Sequence, residues 1–583
     1  MTHRQLHHAL GHDLDDALTH YAGGLRGAVE SESAFRVLNM MRRINDLLPH
    51  AGDAGRMQVI ATLAECGIAI ELMGGAPATD LVQVACRLCQ ANMSAKGSTN
   101  PVELAILWQV AKGFRFAATV RAGNRYDWQT DEEGRALLSR IAEISARLPP
   151  ETPDESPLDE EMLMAGYAGA GDRASGDSPH QVVENLQHRY DALVNRRLQS
   201  NLNIGIDFFL TPDDIRAALD ERSVLMSYYV GASPKGALAF YILLATRDDY
   251  EITMGEGEFP WSTIRLGSDG RQAEVNPIAL VCSGIRSNII DTDPYPRNIS
   301  PEAVKSLDGM RQMAFGGRIP ERLASLRAAG KDHLCIVAHG PLHYVPFHLM
   351  GEEDRPLADD WIVTYLPNLS LLARSNADGA GAKRARVAAF GLDFSDGTAH
   401  EGMQPLPNAP HEAREVARLF GARALVNDAA TESAFLSALS TARYLHVATH
   451  GRHRVVAPSF QQILLAPDAD FDGVLHAYEV LRMNLRHVDV ISLSACETAL
   501  GRFDSADNIR GLPASFLIAG AATVIGTLWP VQTDASERFF TNLYDRLRAG
   551  GRKLDAFRAA QRETRTAFPD YRDWGAFHFL GNI

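Results

Sequence analysis

The residues best suited to chemistry in this 583-residue sequence are one histidine and one cysteine. His450 follows the apolar run YLHVAT, and Cys496 follows the apolar run VISLSA. A cysteine thiolate is a nucleophile, and a neighbouring imidazole can accept the thiol proton. Gly451 has no side chain, so its N–H and that of Cys496 could together stabilise a developing oxyanion. This combination of residue types predicts acyl transfer.

The histidine and the cysteine can react together only if their strands are neighbours. In open α/β sheets, ligands bind at the carboxyl ends of parallel strands, so adjacent strands at 444–449 and 489–495 would bring His450 and Cys496 to one edge. The alternative is that Cys496 is a small buried residue at a strand end and that His450-Gly451 is an ordinary turn. Residue types and spacing alone leave both interpretations open.

Strands and helices alternate after a glycine-rich break at 378–382. The predicted strands are RVAAFGL, RYLHVAT, QQILLAP, VDVISLS and ATVIGTLW, and the predicted helices include HEAREVARLF, TESAFLSALS and ERFFTNLYDRL. Such alternation, with continuously apolar strands, predicts a mainly parallel sheet covered on both faces. Apolar runs before the break, at 224–230, 237–246 and 333–338, are also typical of strands.

The rest of the chain divides by composition. Residues 1–148 carry apolar residues at three- and four-residue spacing and are predicted to be helical. No repeat of about 34 residues recurs there, and a tetratricopeptide-like array is one alternative for this segment. Residues 149–204 begin with a Pro-, Gly-, Ser- and acid-rich stretch, which predicts an acidic flexible linker followed by a connecting helix.

Composition narrows the class of partner and the compartment. A net charge of −15 disfavours nucleic acid or an anionic membrane as the main partner. Six cysteines are too few for a disulfide scaffold, and the first twenty residues lack the apolar core of a signal peptide. The uncharged stretch 511–533 is interrupted by Gly520, so it predicts a short helix (512–519) and a strand (522–528), not a membrane span. We expect a cytoplasmic protein.

The other cysteine and histidine motifs are better explained by packing or exposure to solvent than by metal binding or catalysis. Cys86 and Cys89 are one turn apart in an apparent helix, without a second pair that would complete a metal site. The amino-terminal histidines are expected to be solvated, and His339 is expected to be structural, because no strand-end cysteine accompanies it. We therefore predict no metal site and no cofactor. The amino-terminal histidines are His3, His7, His8 and His12.

Several blocks resemble those of CHAT-domain proteins, within the caspase and separase group of cysteine peptidases. LHVATHG (445–451) is similar to the histidine block of the family, and LSACETALG (493–501) to its cysteine block. GLPASFLIAGAATVIGTLWPV (511–531) and FPDYRDWGAFHFLGN (568–582) resemble the blocks that follow. CIVAHGPLHYVPFHLM (335–350) and WIVTYLPNLSLL (361–372) resemble its first half. The resemblance covers about 205–583.

The resemblance implies an α/β caspase-like fold in two halves behind a helical amino-terminal domain. Residues 205–380 would be a half without a catalytic pair, and 381–583 the catalytic half. His450 would be the general base, Cys496 the nucleophile, and Gly451 part of the oxyanion site.

The resemblance also implies a function. The protein would be a cysteine endopeptidase that cuts a protein substrate after a basic residue held by Asp534, with Glu497 and Asp507 as weaker candidates. It would stay latent until a protein partner binds the helical domain, and would act in bacterial antiviral defence, with a gasdermin-like protein as one candidate substrate. The alternative is a catalytically silent caspase-like scaffold.

Overall fold

The computed structural model describes most of the chain, with gaps. The described residues are 3–31, 33–48, 53–73, 81, 84, 101–110, 112–122, 131–145, 179, 182–183, 185–187, 189–190, 193, 209–233, 237–255, 257–260, 262–266, 271–290, 301–352, 355–374, 386–395, 400, 403–452, 457–481, 483–495, 499, 501–503 and 507–582. Cys86, Cys89, Cys496 and Glu497 lie outside them, as do the side chains of the four amino-terminal histidines.

Helices make up the described part of residues 1–148. They are α1 (His3–Glu30), α2 (Ala34–Leu47), α3 (Asp53–Met73), α4 (Pro101–Val110), α5 (Phe114–Ala122) and α6 (Glu132–Ser145). The side chain of Ser33 caps α2 by accepting a hydrogen bond from the N–H of Arg36. Val37, Met41 and Ile44 form the buried stripe of α2 at the spacing that predicted a helix. The described residues between 179 and 193 are also helical.

Twenty strands are described in the remainder of the chain. The first nine are β1 (Ser223–Ala232), β2 (Leu238–Ala245), β3 (Tyr250–Met254), β4 (Ser262–Leu266), β5 (Arg271–Val275), β6 (His333–Val337), β7 (Gly351–Glu352), β8 (Arg355–Pro356) and β9 (Ile362–Tyr365). The others are β10 (Val387–Gly391), β11 (Leu425–Val426), β12 (Tyr444–Ala448), β13 (Gly451–Arg452), β14 (Gln462–Leu464), β15 (Val474–His476), β16 (Val490–Ser494), β17 (Arg502–Phe503), β18 (Ile509–Arg510), β19 (Thr523–Thr527) and β20 (Phe577–Gly581).

The helices of this remainder flank the strands. They are α7 (Pro212–Ala218), α8 (Pro277–Ile290), α9 (Pro301–Ala314), α10 (Ile319–Ala328), α11 (Leu357–Asp360), α12 (Ala409–Leu419), α13 (Glu432–Leu439), α14 (Ala477–Val480), α15 (Leu512–Ala519), α16 (Thr533–Arg548), α17 (Lys553–Ala567) and α18 (Tyr571–Trp574). Among the described residues, no helix is long and apolar enough to cross a membrane. The uncharged stretch 511–533 contains α15 and β19, as predicted.

Eleven of the strands form one sheet in the order β11-β10-β12-β16-β19-β20-β9-β6-β1-β2-β3. The sheet therefore joins strands from both 205–380 and 381–583. β10, β11, β12, β16 and β19 are parallel to one another, and β20 is antiparallel to β19 but parallel to β9. The carboxyl ends of β12 and β16 consequently lie at the opposite edge of the sheet from those of β6 and β9.

Alternate side chains of the strands enter two separate apolar cores. Leu445, Val447 and Ile491 pack in the larger core on one face, whereas Tyr444 and Val490 pack on the other face beneath α12, α16 and α17. Helices therefore cover both faces of the sheet. The predicted α/β architecture with a helical amino-terminal segment is confirmed. One predicted strand, QQILLAP, does not join the large sheet. Its residues form β14, which pairs antiparallel with the short neighbouring strands β13 and β15 in a separate three-stranded sheet.

The helical segment packs directly on the large sheet. The indole N–H of Trp108 in α4 donates to Ser227 Oγ of β1 at 3.2 Å. Gln109 exchanges two hydrogen bonds with the backbone of Leu210, at 2.7 and 3.0 Å. Phe114 of α5 is fully buried in the same apolar core as the strands. The two parts of the chain thus share one core.

Candidate active site

His450 lies two residues beyond the end of β12 and is half-buried. Its Nε2 lies 2.7 Å from the carbonyl oxygen of Gln404. Since a carbonyl oxygen can only accept a hydrogen bond, we assign the proton of the neutral imidazole to Nε2. The lone pair is then on Nδ1, which is the nitrogen able to act as a base. Burial lowers the pKa of His450, and the charge of Arg452 lowers it further, so the neutral form is favoured.

The ring of Phe394 supports the ring of His450. The two ring centroids are 4.9 Å apart at an interplanar angle of 52°. Phe394 is buried and has a φ of 58°, a left-handed conformation that is rare for a bulky residue. Asp393 and Asn427 hold this turn, because Asp393 N donates to Asn427 Oδ1 at 3.2 Å and Asn427 Nδ2 donates to Asp393 Oδ2 at 3.1 Å. Strained backbone of this kind is concentrated at functional sites.

Gly451 begins the short strand β13 and is paired with Ile463 of β14. The N–H of Leu464 donates to the carbonyl oxygen of His450 at 3.0 Å. In an antiparallel ladder this bond makes Gly451 and Ile463 a non-hydrogen-bonded pair, so the Gly451 N–H points away from β14. The Gly451 N–H is thus oriented for another acceptor.

Cys496 lies outside the described residues, but the strand before it is well placed. β12 and β16 are adjacent and parallel, and Ala448 is in register with Ser494. His450 and Cys496 each follow this registered pair by two residues. The carbonyl oxygen of Ala495 accepts a hydrogen bond from Thr527 Oγ1 at 3.0 Å, which fixes the chain immediately before the cysteine. The two strands are thus neighbours, which is the condition for His450 and Cys496 to act together.

Asp534 lies in the first turn of α16 and is exposed. Its Oδ1 accepts a hydrogen bond from Asn408 Nδ2 at 3.2 Å. Asn408 is four residues beyond Gln404, whose carbonyl contacts His450. The carboxylate of Asp534 is therefore joined, through this one segment, to the edge that carries His450. Glu497, the other nearby acid proposed from sequence, lies outside the described residues.

Asp507 is placed differently, because its carboxylate is buried and already paired. Its Oδ2 lies 2.9 Å from Lys112 Nζ, and its Oδ1 accepts from Gly340 N at 2.7 Å and faces His343 Nε2 at 2.9 Å. Burial alone would raise the pKa of Asp507, but the charge of Lys112 keeps that pKa well below its usual range. In this conformation the Asp507 carboxylate is closed to a substrate side chain.

The Asp507 network links the helical segment to the carboxyl end of β6. Lys112 lies in the turn between α4 and α5, and its Nζ also donates to the carbonyl oxygen of Ala338. Gly113 has a φ of +70°, and a Cβ at this position would lie 2.8 Å from the carbonyl oxygen of Asp507. Asn368 Nδ2 donates to the carbonyl oxygen of Lys112 at 2.6 Å. Side chains from four separate segments therefore meet here.

His339 is buried beside this network, at the sheet edge opposite His450. Its ring stacks on Tyr229 with centroids 4.7 Å apart, and its Nδ1 accepts from the N–H of Val230 at 3.3 Å. These are packing contacts, as expected for a structural histidine.

Sequence reasoning missed Lys112, Phe394 and the Gln404 carbonyl. A backbone carbonyl leaves no signal in residue type, and the other two are positioned only by long-range packing.

Comparison with known proteins gives one family and several distant relatives. Residues 312–582 match the CHAT domain model. Tetratricopeptide repeat protein 28 of Mus musculus is 28% identical over 215 residues, which is 30% of this chain and 9% of that protein. The Homo sapiens protein of the same name is 25% identical over 293 residues, 43% of this chain and 12% of that protein. The chain thus spans about a tenth of the length of these curated relatives.

Two solved structures are similar at low identity. The Saccharomyces cerevisiae separase–securin complex is 10% identical with a TM-score of 0.41, covering 98% of this chain and 48% of that chain. The complex of Porphyromonas gingivalis RgpB pro- and mature domains is 8% identical with a TM-score of 0.33, covering 48% of this chain and 70% of that chain. Both TM-scores are below 0.5 and add nothing to the fold described above. The resemblance to CHAT-domain proteins expected from the histidine and cysteine blocks is confirmed over residues 312–582.

Proposed function

We propose that this protein is a cysteine endopeptidase with His450 as general base and Cys496 as nucleophile. The observation that carries the proposal is the parallel register of β12 with β16, from which both residues follow at the same distance. The hydrogen bond from His450 Nε2 to the Gln404 carbonyl supports the assignment, because it leaves Nδ1 as the base.

The proposed reaction is acyl transfer in two steps. His450 Nδ1 accepts the thiol proton, and the Cys496 thiolate attacks the carbonyl carbon of the scissile peptide bond. The N–H groups of Gly451 and Cys496 stabilise the oxyanion, after which the C–N bond breaks and the imidazolium protonates the leaving amine. Water then attacks the thioester, His450 accepts a proton from that water, and the C–S bond breaks. The chemistry needs no metal ion or cofactor.

For specificity, we propose that Asp534 attracts an Arg or Lys immediately before the cleaved bond. Its carboxylate is exposed and lies on the segment linked to the His450 edge, which supports this role. Glu497 is a weaker candidate. Asp507 could serve only if the chain rearranged, because Lys112 already pairs with its carboxylate and His343 contacts it.

The remaining proposals concern how the protein is activated, what it cleaves and where it acts. We propose that an activating protein binds the helical segment, whose buried contacts with the sheet could relay binding to the peptidase. A protein substrate, a cytoplasmic location and a role in antiviral defence, with a gasdermin-like substrate as one candidate, complete the proposal. Neither nucleic acid nor membrane is proposed as a partner.

The test compares the wild-type protein with Cys496→Ala and His450→Gln. Cleavage would be measured on a peptide library and on the chain's own 149–204 segment, and new termini would be mapped by mass spectrometry. Both variants should lose cleavage, and the wild type should cut after Arg or Lys. His411→Gln is the matched control, because His411 is an exposed histidine whose Nδ1 faces Glu537 on the protein surface.

Alkylation with iodoacetamide gives a second readout that needs no substrate. Cys496 should react quickly at neutral pH if His450 accepts its proton, and His450→Gln should slow that reaction at least tenfold. Cys335 is an internal reference, since burial raises its pKa to about 12 and should leave it inert. Cleavage that persists in Cys496→Ala would refute the assignment. Equal inertness of Cys496 and Cys335 would favour the silent scaffold.

A further inference from the structure

The loop between β14 and β15 has acids at three alternate positions, and a fourth acid follows in α14. Residues 468–479 read DADFDGVLHAYE, with Asp468, Asp470 and Asp472 followed by Gly473 and, six residues later, Glu479. This is the spacing D-x-D-x-D-G-x5-E of the twelve-residue EF-hand calcium loop. In such loops the first three acids supply oxygens, the sixth residue makes a sharp turn, and the twelfth supplies two carboxylate oxygens.

The conformation of the loop agrees with this pattern. Gly473 has a φ of +79°, and a Cβ there would lie 2.4 Å from the carbonyl oxygen of Leu465, so the turn requires glycine. α14 begins at Ala477 and places Glu479 in its first turn, where Glu479 Oε2 accepts from the N–H of His476 at 2.8 Å. The glycine turn therefore falls at the sixth position of the pattern, and the final acid lies in the first turn of the helix that follows.

A fifth acid from another element faces the loop. Glu432 is the first residue of α13, is 2% exposed, and has a buried Oε2 without a hydrogen-bond partner. The N–H of Ser433, the next residue, donates to Asp468 Oδ2 at 3.1 Å, which places the start of α13 against the loop.

An unpaired buried carboxylate beside other acids is unfavourable unless a cation joins them. Among the described residues, no Lys or Arg forms an ion pair with Glu432, Asp468 or Asp472. We infer that Glu432 and residues 468–479 together bind one calcium ion. No three acid, His or Cys side chains of the described residues already surround a common metal position, so binding must draw the loop carboxylates inward. Calcium suits this site better than magnesium, because it accepts more oxygens in less regular geometry.

The loop is mechanically connected to the candidate active site. β14, which precedes the loop, pairs with β13, and Leu464 N donates to the carbonyl oxygen of His450. The hydroxyl of Thr449 donates to the carbonyl oxygen of Leu464 at 2.5 Å. An ion that orders the loop would therefore steady the backbone of His450 and Gly451. This consequence rests on the proposed peptidase function, whereas calcium binding itself does not.

The experiment titrates calcium chloride into the full chain, wild type and Cys496→Ala, after removal of divalent ions with EDTA. Calorimetry should give one site per chain with a dissociation constant between about 10⁻⁷ and 10⁻³ M. The melting temperature should rise with calcium and should not rise with the same concentration of magnesium. Glu479→Gln and Asp472→Asn should weaken binding at least tenfold. Asp428→Asn, which changes an exposed acid near α13, should bind as the wild type does.

The variant Glu432→Gln tests whether Glu432 is a calcium ligand or a buried acid with only a structural role. Removing its charge relieves repulsion, so the variant should melt at a higher temperature than the wild type in EDTA and gain less from calcium. A lower melting temperature in EDTA would overturn the role of Glu432. Absence of both heat and stabilisation at about 10 mM calcium, above the weakest sites of this kind, would overturn the inference. Calcium binding to a chain without peptidase activity would leave it standing and count against the proposed function.

Discussion

Replacing Lys112 by Met should loosen the helical segment from the CHAT domain locally. Lys112 Nζ and Asp507 Oδ2 are 2.9 Å apart, and their side chains are 2% and 1% exposed. The methionine keeps most of the apolar stem but leaves Asp507 with only Gly340 N and His343 as partners. A buried carboxylate that loses its counter-charge is strongly destabilised.

The magnitude follows from the geometry of the pair. With an effective dielectric constant of about 20, unit charges 2.9 Å apart attract by about 6 kcal/mol. Desolvation offsets much of this, and removing one partner of a buried pair costs about 3–5 kcal/mol. Because Asp507 keeps two donors, we expect about 3 kcal/mol. At about 1.4 kcal/mol per factor of ten, local opening becomes about 150-fold more frequent.

Hydrogen exchange of the full chain, read by mass spectrometry, measures that opening. The amides of Phe116, which donates to Asn508 Oδ1, and of Gly340 should exchange faster in Lys112→Met. Lys553→Met is the matched control, because Lys553 pairs with Asp489 at 2.9 Å inside the CHAT domain. It should leave those amides unchanged.

Pairing Lys112→Met with Asp507→Asn tests whether the charge pair is the cause. The double variant buries neither charge, so its amides should exchange more slowly than the sum of the two single effects predicts. Strict additivity, or unchanged exchange in Lys112→Met, would refute the reasoning.

Three further predictions concern the candidate active site. Phe394→Leu should lower kcat about tenfold with little change in KM, because the flat ring under His450 is lost while apolar volume is retained; steady-state kinetics on a cleaved peptide would reveal an unaffected kcat if this is wrong. Asp534→Ala should reduce the preference for Arg or Lys in a peptide library at least tenfold, whereas Asp545→Ala, at a half-buried acid paired with Arg548 on the same helix, should not; identical preferences would exclude Asp534. Arg452→Ala should move the acidic limb of the pH–rate profile to higher pH, since the Arg452 charge helps to lower the pKa of His450; a limb that moves to lower pH would contradict the assigned base.

The elements around the candidate site were largely predictable because their signals are local. Continuous apolar runs predicted β12 and β16. Gly520, together with the apolar residues on either side of it, predicted the boundary between α15 and β19. The order of the strands was not predictable from such runs. Nothing in the residues 577–581 indicates that β20 pairs with both β19 and β9.

The contacts that position side chains were predictable only in part. The spacing of the acids within 468–479 can be seen in the sequence. Glu432, however, is brought beside them only when the chain folds. Likewise, Asp507 is a plausible specificity acid by residue type, and its partner Lys112 lies 395 residues away. A pairing at that separation depends on how the helical segment docks on the rest of the chain. Local residue patterns do not reveal this docking.

The central position of β20 has a consequence for how the chain folds. β20 lies between β19 and β9 and is the strand through which the two groups of parallel strands meet. Until it docks, β19 and β9 are edges with unpaired N–H and C=O groups and with side chains that are all buried in the folded protein, and such edges readily pair with other molecules. β9 ends at residue 365 and β20 begins at residue 577, so closure depends on contacts of long sequence separation, which form slowly. Substitutions that weaken β20 should therefore appear first as aggregation during synthesis, before any loss of activity in the folded protein.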